Sequence, residues 1–502
     1  MIKNQIKKGA IISYVSVFLN LILLFFYTPW MIKKIGVSDY GLYSLAISFI
    51  AYFVMDFGLS GTITRFIAKY RAEGNLQKIE NMLGLTTKAY LAIDTVIFLV
   101  LLICYLFITE IFKGLTPEEL EKFKVLFVIA GTFSVLSFVF KPMHGTMMAF
   151  EYFVEEKTLS LMNKWLTAFL VIIALWLDFG VYALVFIHGC MGFIISWAKY
   201  AIFRYKSKIR INWTYFDKAE LKSVLSFSVW VFLITLAQRM RLSLSPTILG
   251  IVADTTEISR FSMAFSIEGM VWIIAGALNG LFLPKVSRML HKGQREDITD
   301  LMIKVGRIQL FVISSILLSF WLIGDKFLHL WVGDNFASSY YVFILITFTN
   351  FITTTQHIAN DVVYAENKVR YTSTLTLCSS ILSLILCFIF SYYWGAIGAG
   401  IAFFVAMSLY IVLVNLFYVH KLHLEIGKFF RNTHFKILPP LIALNLVFFV
   451  IKRFFALDTW LSLIAFELVY IMAFGCLIFF VLFNQYEKNL VINTLRRRKN
   501  GK

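Results

Sequence analysis

Apolar runs long enough to cross a bilayer, each ended by a cluster of charged residues, recur along the whole chain. A span needs about 20 mostly apolar residues. By that rule the pattern predicts about fourteen helices, near 9–32, 42–68, 88–109, 124–142, 158–177, 181–203, 223–251, 258–284, 306–324, 338–362, 372–393, 396–418, 435–452 and 459–484. The expected fold is an all-α polytopic membrane protein.

Polar residues inside these runs carry the next expectation. Phe53–Arg65, FVMDFGLSGTITR, puts Asp56 near the middle of the second run, where a charged residue costs roughly 2.5–3.5 kcal/mol on insertion. Read as one helix, Ser48, Tyr52, Asp56 and Ser60 recur every four residues on one face. Arg65 follows near the cytoplasmic side, within reach of the interface. The tenth run carries Asn350, Thr354, His357 and Asp361 at spacings of four, three and four, and the first carries Ser13, Ser16, Asn20 and Tyr27. Stripes of this kind line a cavity or hydrogen-bond between helices, and both readings stay open.

The seventh run holds Thr235-Leu-Ala-Gln-Arg-Met-Arg-Leu-Ser-Leu-Ser-Pro246. Gln238, Arg241 and Ser245 share a helix face, with Arg239 roughly opposite Arg241. An arginine at this depth stays charged and needs an anion or a carboxylate. It either binds phosphate through its fork of donors or pairs with Asp56, Asp94 or Glu268. Lys141, before Pro142, extends a basic entrance or snorkels, and for Lys164 snorkelling is favoured. Asp56, Asp94, Glu268, Asp361 and Glu467 are the acids within spans, read as ion-coupling groups or structural ion pairs, with Glu467 on the structural side.

Composition agrees with the pattern. The chain has 502 residues, 59% hydrophobic and 15% charged, with a mean hydropathy of +0.78; soluble domains sit near half apolar and a quarter charged. Its net charge of +18 does not point to nucleic acid, because Lys and Arg gather in alternate loops, as topology requires. With the N-terminus inside, 69–78, 199–222, 285–304, 368–370, 421–436 and the Arg496-Arg497-Arg498-Lys499 tail fall inside, and the acidic stretch Thr116–Glu121 falls outside. Both termini are expected in the cytoplasm. The basic start precedes a full span, without a signal-peptide cleavage site. The basic tail reads as topology plus attraction to anionic membrane lipids.

The two halves of the chain resemble each other. Asp39–Ser48 aligns without gaps on Glu257–Ser266 at an offset of 218, and Glu151 and Gly180 match Glu366 and Gly395 at an offset of 215. The expected organisation is a six-helix lobe over 1–205, a cytoplasmic linker over 206–222, a second six-helix lobe over 223–420, a helical hairpin over 421–486 and a tail over 487–502. Repeats of six spans share one orientation, and such parallel halves commonly enclose a substrate site and rock around it.

Other chemistry finds no support. The five cysteines lie in apolar runs without CxxC spacing and read as packing residues. Gly395-Ala-Ile-Gly-Ala-Gly400 opens an apolar helix, where close packing explains it better than a nucleotide loop. There is no GxxxxGK[ST], HExxH or zinc-type spacing, so neither cofactor nor metal is expected. External loops reach only about sixteen residues, which argues against a membrane enzyme with an external catalytic loop.

Gly36-Val-Ser-Asp-Tyr-Gly-Leu-Tyr-Ser-Leu, Asp56-Phe-Gly-Leu-Ser-Gly, Arg65-Phe-Ile-Ala-Lys-Tyr-Arg-Ala-Glu, Phe282-Leu-Pro-Lys-Val-Ser and Ala365-Glu-Asn-Lys together resemble the lipid-linked oligosaccharide flippases of bacterial O-antigen and capsule synthesis. That family belongs to a superfamily shared with multidrug exporters and peptidoglycan-precursor flippases. The resemblance implies paired helical lobes in the bacterial inner membrane. It further implies movement of an undecaprenyl-diphosphate-linked glycan from the inner to the outer leaflet, for surface polysaccharide or lipopolysaccharide synthesis. A polymerase and chain-length machinery are the implied protein partners. Arg65, Lys141, Arg239 and Arg241 are the candidates for the family's cationic cavity, with Asn350 and His357 along its polar wall. Many members carry an acid near the position of Gln238-Arg239, so proton coupling there is not implied. An ion-coupled multidrug or metabolite exporter on the same fold is the alternative.

Overall fold

The computed structural model describes residues 23–51, 55, 59–275 and 282–489; the side chains at 23, 24, 226–231, 233, 234, 238, 241–243 and 275 lie outside the description. Every regular element among the described residues is helical. Nine helical stretches among them are long and apolar enough to span a membrane. Two compact units emerge, one from 1–262 with 376–402 and the other from 263–375 with 403–502.

The first unit opens with α1 (Thr28–Ile35) and α2 (Val37–Ile50), separated by Gly36 at φ 86°. Helix α3 (Leu59–Ala72) follows after a gap, and α4 (Leu76–Leu106) starts where the Asn75 side chain accepts from the Lys78 amide. Helix α5 (Pro117–Phe138) begins with a capping box between Thr116 and Glu119, which satisfies two amides that the helix cannot. Then come α6 (Pro142–Ala149), α7 (Phe153–Trp176) and α8 (Gly180–Ser207). Helix α9 (Lys218–Val252) is capped by Asp217 and leads into α10 (Thr255–Ala275). Its core is aromatic: the Phe112 and Phe123 rings lie 4.8 Å apart, and Phe49 and Phe127 5.3 Å apart.

Within the second unit lie α11 (Leu283–His291) and α12 (Arg295–Val332), followed by α13 (Ala337–Phe348), α14 (Asn350–Thr353) and α15 (His357–Ala365). The segment α16 (Val369–Leu422), of which 376–402 belongs to the first unit, is two helices joined at Gly395, whose φ of 53° and ψ of −132° interrupt the helix, a conformation open to glycine. The last elements are α17 (Ile426–Asn432), α18 (His434–Lys452) and α19 (Trp460–Leu477). Val286, Ile298, Met302, Ile358, Val362 and Phe429 form the buried centre of this unit.

Three expected spans are broken. The second run stops at Ile50 and restarts at Leu59, with Ala51 and Met55 outside helix. Ser48 and Ser60 therefore do not share one continuous helix face, and Tyr52 and Asp56 lie outside the described residues. The fourth breaks between Phe138 and Pro142, and the tenth between Thr353 and His357. The last two breaks are equivalent, because Pro142 and His357 lie 215 residues apart.

The same offset recurs through the backbone. The helix starts at Gly180 and Gly395, both at positive φ, and the left-handed residues Lys208 and His423, which end α8 and α16, are also 215 apart. Positive-φ Gly74 and Gly293 precede the long helices α4 and α12. An arginine near each of these glycines meets the matching glutamate, Arg71 with Glu151 at 3.9 Å and Arg295 with Glu366. The duplication is thus written in turns as well as in side-chain similarity.

The linker is ordered. The Asn212 amide donates to the Glu80 carbonyl at 3.2 Å, and Lys88 Nζ donates to the Tyr215 carbonyl at 3.1 Å. A Cβ on Gly84 would lie 1.9 Å from the Asn212 carbonyl oxygen, so glycine lets this strap lie directly on α4.

Candidate functional site

The polar stripe of the tenth run survives as a buried cluster, though on two short helices. Asn350, Thr354, Thr355, Gln356, His357 and Asp361 are all buried. Helix breaks leave backbone carbonyls to be satisfied, and here side chains do so. Thr354 Oγ1 donates to the Asn350 carbonyl at 2.5 Å, and His434 Nε2 donates to the Phe351 carbonyl at 2.9 Å. Gln356 Nε2 donates to Asn415 Oδ1 at 2.7 Å. Of the stripe's four residues, Thr354 is the one bonded to a carbonyl at the break.

Two groups are poised differently. Asn350 Nδ2 donates to Glu268 Oε1 at 3.4 Å, joining two of the predicted site residues across 82 positions of sequence, with both side chains buried. His357 is buried, and its Nε2 has no hydrogen-bond partner among the described residues. Buried polar atoms are normally satisfied, so this nitrogen is open to a water or a ligand. Glu268 and Asn350 meet in the second unit; His357 opens the next short helix of that unit, and Asp361, one turn beyond it, is buried in the same helix.

The remaining candidates, apart from Glu467 on α19, belong to the first unit. Arg65 is exposed on α3, and Lys141 sits half-buried at the N-cap of α6, between α5 and Pro142. Arg239 is exposed on α9; Arg241 occupies the same helix, but its side chain and that of Gln238 lie outside the description. Asp94 is buried on α4, and its Oδ1 has no hydrogen-bond partner among the described residues. Glu467 Oε2 on α19 is likewise buried without one, and Lys164 is exposed. Of the first-run stripe, Tyr27 is described, with a buried hydroxyl that bonds to nothing among the described residues; Ser13, Ser16 and Asn20 fall outside.

Two charged clusters escaped the sequence reading. Glu156, 3% exposed, lies 3.2 Å from His144 Nδ1 and 3.3 Å from Lys199 Nζ, while Ser160 Oγ donates to it at 3.0 Å. Arg307 makes a two-pronged pair with Glu487, Nε to Oε1 at 2.6 Å and Nη2 to Oε2 at 2.9 Å, and also donates to the Asn432 and Leu482 carbonyls. Both sit where an apolar run meets a charged loop, so neither breaks the hydropathy pattern. The signal available was the acidic first turn at Glu155-Glu156, which favours a helix start.

A family model described as polysaccharide biosynthesis protein matches residues 6–290. No curated protein matches the chain. Among solved structures, the fold is similar to that of the lipid II flippase MurJ in an inward closed conformation, with a TM-score of 0.71 at 15% identity over 94% of this chain and 98% of that one. An inward-facing multidrug resistance MATE family transporter of the MOP superfamily gives 0.62 at 13% identity, over 80% of this chain and 97% of that one. A MOP superfamily transporter from Pyrococcus furiosus gives 0.56 at 13% identity, over 82% and 92%. At these identities the likeness is one of fold. The fold is that of multi-pass transporters and flippases.

Proposed function

This chain belongs to the polysaccharide biosynthesis protein family, and we propose that it flips a lipid-linked oligosaccharide, an undecaprenyl-diphosphate carrying a glycan repeat unit, across the bacterial inner membrane. Family membership carries the reading, and the flippase-like fold over 94% of the chain supports it. The substrate joins a dianionic or more highly charged head to a long apolar tail. Its head needs a polar, cationic path that excludes lipid, and its tail can stay in the bilayer.

In this reading the six-helix lobes of the duplicated core alternate around a cavity, with both termini in the cytoplasm. Arg65, Lys141, Arg239 and Arg241 attract the diphosphate, because a guanidinium keeps its charge at any depth and offers a fork that matches phosphate oxygens. Asn350 and His357 meet the glycan with neutral hydrogen-bonding groups. Asp56, Asp94, Glu268 and Asp361, the acids within the spans, serve ion coupling or form ion pairs. The product serves O-antigen or another surface polysaccharide, handed to a polymerase and its chain-length machinery. Ion-coupled export of drugs or metabolites on the same fold is the second reading, favoured by the likeness to a multidrug resistance MATE family transporter.

The deciding experiment is leaflet translocation of a fluorescent undecaprenyl-diphosphate oligosaccharide in proteoliposomes. Wild type is expected to move it, and an Arg239→Ala/Arg241→Ala variant that folds normally is expected to lose most of that rate. Wild-type protein that moves no such lipid and exports small organic cations instead would overturn the reading.

A further inference from the structure

The start of the second repeat packs against the start of the first at one place in the first unit. There the contact is self-complementary. A Cβ on Gly41 would lie 2.2 Å from the Thr255 carbonyl oxygen, and Ser259 Oγ donates to the Val37 carbonyl at 2.6 Å. Under the offset of 218 that aligns the repeats, Val37 corresponds to Thr255 and Gly41 to Ser259. The two contacts are therefore the same contact with the partners exchanged, the pattern a two-fold relation produces. Gly114, whose Cβ would fall 1.9 Å from the Ala253 carbonyl oxygen, lets the chain before α5 press on the same turn.

A polar knot sits on this joint. Glu119 Oε1 accepts from Ser38 Oγ at 2.7 Å and from Thr255 Oγ1 at 2.6 Å, and those two hydroxyls are 3.1 Å apart. Asp39 pairs with Lys122 at 3.2 Å beside it. Thr255 and Ser259 are almost fully buried. Glu119 is also the third residue of its capping box, accepting from the Thr116 amide through Oε2, so its carboxylate is fixed before it reaches across. Hydrogen bonds to a charged acceptor are stronger than neutral ones, enough to hold a contact shut while leaving it reversible.

We propose that this joint is a latch between the two repeats at the end of the spans away from the Lys/Arg-rich loops, and that opening this end requires Glu119 to release Ser38 and Thr255. The proposal rests on the alternating-access reading above, because a protein that never opens here needs no releasable contact. It also gives a task to the Gly36–Leu45 stretch, whose small and hydroxyl residues permit the close approach.

Two measurements test it, in protein whose five native cysteines have been replaced. In the first, Ser38→Cys and Thr255→Cys are introduced together and translocation is followed after oxidation and after reduction. Oxidation is expected to abolish transport and reduction to restore it; equal rates in both states would overturn the latch. The second places nitroxides at Lys113→Cys and Thr256→Cys and reads their separation by pulsed electron paramagnetic resonance. A longer-distance population is expected, enlarged several-fold by Glu119→Gln, which keeps a capping oxygen, and by Thr255→Val. One unchanged distance in wild type and both variants would overturn the proposal. If the wild type moves no lipid-linked glycan while the longer population still grows in both variants, the substrate reading fails and the latch stands.

Discussion

Gly41→Ala is the smallest change that separates the closed joint from every other state of the protein. Its added carbon would sit 2.2 Å from the Thr255 carbonyl oxygen, 2.8 Å from Ser259 Oγ and 2.9 Å from the Thr255 carbonyl carbon. Ordinary non-bonded carbon contacts lie at about 3.5–4 Å, so α2 and the start of α10 must part by roughly 1 Å. Two of the three obstructing atoms are backbone, and a rotamer change cannot relieve them. Overpacking of this kind typically costs about 1–3 kcal/mol. Alanine also favours helix over glycine by about 0.8–1 kcal/mol, but that gain is common to closed and open forms and cancels in their ratio. A closed-state penalty of about 1–3 kcal/mol shifts the closed-to-open ratio roughly 5- to 150-fold, at about 1.4 kcal/mol per decade. The assay is the distance distribution between the nitroxides at positions 113 and 256. Gly192→Ala is the control, because no heavy atom outside its own helix lies within 4 Å of its added carbon. A wild-type distribution in Gly41→Ala, accompanied by lower stability, would refute the reasoning: the clash would then be absorbed locally without opening the joint.

Three further outcomes follow from other parts of the molecule. Arg307→Met should destabilise the protein by about 3–5 kcal/mol by stranding the buried Glu487 carboxylate, and adding Glu487→Gln should recover part of that loss; additive single effects in a double-mutant cycle of denaturant unfolding would contradict the pairing. Gly84→Ala should lift the strap at Asn212 from α4 and raise proteolytic cleavage within 206–217 about tenfold or more, from a displacement costing about 1–3 kcal/mol, whereas an unchanged cleavage rate counts against the docked strap. The hydrogen bond from Tyr215 to the Glu220 carboxylate, with burial second, raises the Tyr215 pKa to about 12. An unfolded phenol titrates near pH 10, so this contribution is complete below pH 10 and lost as pH rises through 12. The phenolate difference spectrum of wild type minus Tyr215→Phe should show that late titration in wild type and an earlier one in Glu220→Gln; a Tyr215 signal near pH 10 in both would exclude the bond.

Helical spans and the duplication were readable from the chain because each depends on pattern alone. Twenty apolar residues mark a span whatever they touch, and the offset of 215 survives in both sequence and turns. The breaks were not readable, because threonine and glutamine continue a helical period without fault. What ends the helix at Thr353 includes the side chain of His434 on the Phe351 carbonyl, from 83 residues away. One local clue did exist: Pro142 opens a helix in the first repeat, and the duplication carries that break to His357 in the second. Arg307 and Glu487 were invisible for a related reason, since each stands among basic or polar neighbours at the end of a run and burial is decided by a partner 180 positions distant.

The candidate site divides along the same physical line. Periodicity picked out Asn350, Thr354, His357 and Asp361, placed them on one uninterrupted face, and left open whether they line a cavity or bond within the protein. The structure assigns Thr354 and Gln356 to bonds within the protein, and leaves His357 Nε2 open and Asn350 joined to Glu268. A glycan-binding wall needs donors and acceptors that the fold has not already consumed, because a satisfied group offers a newcomer little net gain. His357 is consequently the residue of this stripe at which substitutions should discriminate among substrates. Substitutions at Thr354 and Gln356 should instead act through the helix break, lowering stability for every substrate alike.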